Sequence, residues 1–258
     1  MSGARGSLRG FFNPAAQGGI VAGWLRLAAS VQSGGEWTSL VDVLNSNPAV
    51  QADADRRCAV GSSANGLSTM VFDGSDMYQW PLSATINNMT AKLGFWLWFK
   101  PATVASVQRL VNITIATGAA ATLEKLSLYA NNRTLVCEVY ATNATGRVFT
   151  TTTNVLTAGV WTAIYMQYDS SRGGDANYAL FTDGVSRANN GANIGAGATL
   201  GALQAPTGNA LLGSFNNSDT PTQAIDTGGE FGPNPAISFN ENLTAQQIAG
   251  FLAFEAPT

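Results

Sequence analysis

The sequence predicts an all-β fold, a two-sheet antiparallel jelly-roll sandwich with one short C-terminal helix. Three observations carry this. Short apolar runs recur along the chain with turn signals between them. One of these runs, Trp161 to Tyr168, is apolar or aromatic on both faces and so needs a covering layer on each side. Only one stretch, near the C-terminus, has helical spacing. The number of strands exceeds what an immunoglobulin-type domain of about 100 residues uses, which favours a larger jelly roll.

Taken in order, Met1 to Gly19 is rich in Gly, Ala, Ser and Arg and reads as a flexible arm. It is either a free end or a segment that orders against a neighbouring subunit, and the adjacent aromatics Phe11 and Phe12 favour docking. A single domain follows over residues 20–258, opening with a strand from Ile20 to Leu25. Residues 28–65 lack strand alternation and carry Gly34-Gly35 and Asn47-Pro48, so a long loop region is expected, with a helical turn near Ser39 to Leu44. Strands are expected at Leu67 to Phe72 and Met77 to Leu82, separated by Asp73-Gly74. Leu93 to Phe99 is the most apolar strand, stopped by Pro101. Gln108 to Ile115, Lys125 to Tyr129, Thr134 to Tyr140 and Val148 to Thr153 follow. Val160 to Tyr168 and Tyr178 to Val185 form a strand pair, with Asp183-Gly184 as a tight turn. Asn189 to Gly201 is Gly/Ala/Asn-rich and reads as weakly structured. Ala210 to Phe215, Ala224 to Phe231 and the Ile237/Phe239 pair complete the strands. The helix begins at Thr244, an N-cap with Gln247 at capping-box spacing, and Ile248, Phe251 and Leu252 form its apolar face.

Composition narrows the function. The chain of 258 residues is 45% apolar but only 11% charged, so Asn, Thr, Ser, Gln and Gly must carry its surface. With a net charge of −3 there is no basic face to hold a nucleic-acid backbone. Histidine is absent, which removes Ser-His-Asp and Cys-His catalysis and the commonest zinc ligand. Cys58 and Cys137 read as two small buried hydrophobes or as a single pair, since two thiols make no disulfide framework. No apolar run approaches the roughly 20 residues of a membrane-spanning helix. Asn13, Pro14 and Gln17 interrupt the one N-terminal stretch that could start a signal peptide.

Three places in the sequence carry a recognisable pattern. The first is Trp37, Gln51, Arg56-Arg57, Asn65-Gly66 and Phe72-Asp73-Gly74-Ser75-Asp76. The second is Trp161, Tyr168-Asp169 and Asp183-Gly184. The third is Ile237, Asn240, Leu243-Thr244 and Ile248. Together they span from about Ile20 to the C-terminus, and in this order they resemble the laminin-G-like branch of the concanavalin A-like lectin/glucanase superfamily. The resemblance implies a concanavalin A-like jelly roll, and fold alone does not set an activity. The glucanases of that superfamily carry a Glu-x-Asp-x-x-Glu pattern, and retaining hydrolysis needs two carboxyls about 5–5.5 Å apart. No glutamate here stands in that pattern, so no catalytic residues are assigned and a non-enzymatic protein is expected.

Superfamily lectins hold sugars on exposed aromatic platforms, which makes Trp37, Tyr78 and Trp80 the glycan-binding candidates, with Trp96, Trp98 and Trp161 assigned to the core. Asp73, Asp76 and Asp219 are candidate metal ligands in oxygen-rich loops of the kind that suits calcium. Ordinary turn chemistry, in which Asp caps its own backbone, is the simpler account of them, and no cofactor is required. The weakly charged surface, the arm and the missing catalytic pattern point to a virion surface protein of phage type, a capsid decoration or a tail-associated jelly roll. Its expected partners are other virion proteins or copies of itself, as a homo-oligomer, and a host-surface glycan. A secreted, extracellular lectin-like module is the alternative.

Overall fold

The computed structural model describes residues 14–258 apart from 18, 84–85, 87, 115–123, 143–144, 173, 195–201, 204–208 and 216–222. The arm residues Phe11 and Phe12, and Asp219, therefore lie outside the described residues. In chain order the strands are β1 (Val21–Ser33), β2 (Glu36–Asp42), β3 (Ala49–Val50), β4 (Ala59–Ser62), β5 (Ser68–Val71) and β6 (Tyr78–Pro81). Next come β7 (Lys92–Lys100), β8 (Val107–Thr114), β9 (Glu124–Asn131), β10 (Thr134–Thr142), β11 (Thr145–Thr151) and β12 (Thr162–Asp169). The last are β13 (Tyr178–Thr182), β14 (Val185–Arg187), β15 (Asn189–Ile194), β16 (Asn209–Leu212), β17 (Glu230–Phe231) and β18 (Ala236–Phe239), followed by helix α1 (Ala245–Ala253). The chain is all-β with one short α-helix among the described residues.

Every strand pairing among the described residues is antiparallel, and the pairings form two runs. In the first, β14, β13, β12 and β7 lie side by side. Beyond β7 the run divides: one branch passes through β18 to β1, the other through β17 and β5 to β4, and both reach β2. The second run is β15, β11, β10, β9, β8, β16, β6 and β3. β3 pairs with β2, so the two runs join along that edge and the sheet curls toward closure.

One core serves both runs. Phe95, Leu97 and Phe99 of β7 and Ile164, Met166 and Tyr168 of β12 share it with Val111, Leu128 and Cys137 of the second run. The opposite face of β7 and β12 carries Trp96, Trp98, Ala163 and Tyr165, and α1 covers it with Ile248 and Phe251. All eight residues of β12 are buried, as its two apolar faces predict, and the C-terminal helix is the cover on the outer side. Phe251 packs with ring centroids 5.3 Å from Trp96 and 5.0 Å from Phe239. The Thr244 capping box is formed: its hydroxyl accepts from the Gln247 amide at 3.3 Å, and the Gln247 side chain accepts from the Thr244 amide at 2.9 Å.

The region 28–65 differs from expectation. It is strand-rich rather than loop: β1 runs on to Ser33, and β2 occupies the place of the expected helical turn. Gly34 and Gly35 supply the positive φ, 63° and 86°, that turns β1 into β2. The outer half of this hairpin is largely exposed, so it shows no apolar alternation. Asn189–Ile194 is also a strand, paired to β11. In 224–231 only Glu230–Phe231 is extended, because Gly228 at φ 84° turns the chain just before it.

Candidate functional site

The first run ends in a polar rim. β7 starts at Lys92, opposite Asp169, the last residue of β12. Beyond these, the Ser170 amide donates to the Ala91 carbonyl at 2.8 Å. β18 aligns Phe239 with Gly94 of β7, so the chain leaving β18 at Asn240 and Glu241 emerges beside the chain entering β7. Between residues 88–92 and 240–241 lies an open cleft of about 370 Å³.

The cleft's charged groups are paired. Lys92 Nζ meets Glu241 Oε2 at 2.8 Å across the gap, and that hydrogen bond holds the ammonium above its ordinary value. Beside them, Asp169 is 5% exposed. Its Oδ1 accepts from the Ser171 hydroxyl at 2.6 Å and amide at 3.0 Å. Its Oδ2 accepts from Asn242 Nδ2 at 2.7 Å and lies 3.5 Å from Arg172 Nε. Burial alone would raise this carboxyl, but the hydrogen bonds outweigh it and hold Asp169 below the usual carboxylate range. Asn240 fixes the wall: its amide nitrogen donates to the Gly19 carbonyl at 3.0 Å, and its backbone amide to Ile20 at 3.0 Å. The exposed Asn88 amide completes the opposite lip. Such a set orients hydroxyl groups. It is poorly suited to protonating a leaving group, since Asp169 is held ionised and Glu241 is tied to Lys92.

The aromatic candidates are elsewhere and inaccessible. Trp37, Tyr78 and Trp80 are each 0% exposed. The Trp37 indole donates to the Thr69 carbonyl at 2.9 Å, the Tyr78 hydroxyl to the Trp37 carbonyl at 2.5 Å, and the Trp80 indole to Asp42 Oδ2 at 3.3 Å. With their rings enclosed and their polar tips satisfied by the protein, they offer no stacking face, and the expected platform is corrected to core. Trp96 and Trp98 are core, as expected. Trp161, also assigned to the core, is half-buried, with Lys100 Nζ 5.1 Å from its ring centroid and ion-paired to Glu230. It stands at the far end of β7 and β12, roughly 25 Å from the cleft at about 3.3 Å per residue, so the two do not form one site.

Asp73 and Asp76 do lie together, on the turn between β5 and β6. Asp73 Oδ1 accepts from the Ser75 amide at 2.8 Å, and Asp76 Oδ2 from the Asp73 amide at 2.9 Å. That is self-capping turn geometry, with Gly74 at φ 100°. Among the described residues no group of three or more His, Cys, Asp or Glu side chains could hold a metal ion. Cys58 and Cys137 are both buried and form no disulfide, which decides between their two readings.

Lys92, Glu241 and Asn88 were not singled out by sequence. Asn240 and Asp169 were named, as parts of the closing motif and of the Tyr168-Asp169 motif, and they are the members of the site with a prior signal.

No protein-family model and no curated protein matches the chain. Solved structures share its fold. Trypanosoma rangeli sialidase in complex with sialic acid superposes with a TM-score of 0.55 at 16% identity, over 91% of this chain and 33% of that one. The binding domain of botulinum neurotoxin DC in complex with rat synaptotagmin II gives 0.60 at 8% identity, over 90% and 51%. Botulinum neurotoxin type C, whose passage into cells depends upon interaction with two ganglioside molecules, gives 0.59 at 10%, over 90% and 50%. The chain thus spans a third to a half of these structures, and the likeness is one of all-β fold.

Proposed function

We propose that this chain is a non-enzymatic glycan-recognition module built on a concanavalin A-like jelly-roll sandwich and displayed on a virion surface. The observation that carries the reading is the polar cleft. It is open and has a fixed wall, and its ammonium, carboxylate and amide groups are pre-positioned to meet hydroxyls. Fold neighbours that bind sialic acid or depend on gangliosides support a sugar ligand. The paired state of Glu241 and the ionised state of Asp169 support binding without bond cleavage. Two buried cysteines that form no disulfide favour folding in a reducing compartment, as for a particle assembled inside a cell, over a secreted lectin.

Two measurements test the reading. A glycan array probed with purified protein should show binding that Lys92→Ala weakens at least tenfold, while the same sugars show no reducing-end release. Release of reducing ends would make the chain a hydrolase. Immunogold labelling of particles from the source should decorate their surface; labelling confined to the surrounding medium would favour the secreted lectin.

A further inference from the structure

The chemistry of the cleft narrows its ligand, given that it binds glycans as proposed above. From the juxtaposition of Lys92 and Glu241 across a small cleft beside Asp169 and Arg172, we infer that the site selects short, uncharged saccharides and discriminates against acidic ones.

Size is the first argument. About 370 Å³ is at the low end of the roughly 300–1,000 Å³ typical of ligand clefts, so the site takes a terminal sugar or two rather than a chain.

Charge is the second. The rim carries two cations and two anions, and each already has a partner: Lys92 with Glu241 at 2.8 Å, and Arg172 with Asp169 at 3.5 Å. A hydroxyl can add to such a pair without breaking it, donating to the carboxylate and accepting from the ammonium, whose three protons outnumber its one bond to Glu241. A carboxylate or sulfate must either displace Glu241 from Lys92 or stand beside the Glu241 and Asp169 carboxylates. Like-charge juxtaposition of this kind is how interfaces reject wrong partners.

The third argument concerns strength. Among the described residues the lining contains no aromatic ring, and Met89 and Ala91 are its hydrophobic side chains. Without a stacking face a single site binds weakly, and useful adhesion comes from many copies on one surface.

Glu241 is the position to change, because its side chain is 52% exposed and holds no strand in place. Glu241→Lys removes the partner of Lys92 and leaves the cleft net positive. Wild type and variant, matched by melting temperature, are titrated by saturation-transfer NMR. The ligands are one neutral disaccharide and the same disaccharide carrying a uronic or sialic acid. Wild type should prefer the neutral form at least tenfold, and Glu241→Lys should reverse the preference. Acid preference in wild type, or a variant with unchanged selectivity, overturns the inference while leaving glycan recognition standing. Neutral binding lost in Trp161→Ala but kept in Glu241→Lys would move the site to the other end of β7 and overturn it as well. Binding of neither sugar form, and of nothing on the array, would remove both the inference and the proposed function.

Discussion

Asp76 shows what one residue does when the fold encloses it. It is 1% exposed, one carboxyl oxygen accepts from the Asp73 amide, and the other is buried without a partner, near Cys58. Burial pushes this carboxyl from 3.8 up to about 7, and the nearby Asp73 charge adds to the rise. The native state therefore keeps a proton that the unfolded chain releases between those two values. The stability this group contributes is complete below pH 3.8, declines as pH rises toward 7, and is flat above. Asp76→Asn keeps the acceptor for the Asp73 amide and removes the titration. Its melting temperature relative to wild type should rise from pH 5 to pH 8; Asp169 cancels in the paired comparison, and Asp73, which burial raises but its Ser75 hydrogen bonds hold low, lies below that range. A difference independent of pH would mean that Asp76 is charged throughout. Residue type alone did not reveal this environment. The turn at Asp73-Gly74 was legible because Asp caps and Gly takes positive φ. Which carboxylate would be enclosed depends on packing between distant segments, and the same is true of Trp37, Tyr78 and Trp80.

At the scale of elements, α1 is the part whose sequence and role agree most closely. Its cap, its spacing and its apolar face were all readable, and the structure adds what that face covers: Trp96, Tyr165 and Phe239 on the outside of the first run. Thr244→Ala removes one half of the capping box and should cost about 1 kcal/mol. Phe251→Ala opens a cavity against Trp96 and Phe239 and should cost about 3–5 kcal/mol. Urea midpoints of the two variants would check the order, and equal shifts would mean that the helix is held by its end rather than its face. The strands divide along a physical line. β7 and β12 bury both faces and were visible as apolar runs. The outer half of β1 and β15 pair through backbone groups while much of their side-chain surface stays in water. Ladder hydrogen bonds need no apolar side chain, so these strands leave no period-2 signal in the sequence.

For the molecule as a whole, the cleft and the core both arise from segments far apart in the sequence. Lys92 and Glu241 are 149 positions apart, and nothing local in either segment marks them as partners; only register along β7 and β18 does. The shared core makes a claim about unfolding. Cys137 lies on β10 in the second run, while Cys58 lies just before β4 on the branch that reaches the first. Both are 0% exposed, and both belong to one apolar cluster drawing on β7, β8, β9 and β12. If that cluster is a single cooperative unit, neither run can open without the other, and both thiols become accessible in the same event. In increasing urea, a thiol-reactive dye should therefore label Cys58→Ser and Cys137→Ser, each retaining one thiol, at the same fraction unfolded once their stabilities are matched. Both curves should follow tryptophan fluorescence, which reports Trp37 and Trp80 in the same cluster. If Cys137 labels well before the fluorescence changes, the second run opens separately and the two runs are distinct folding units.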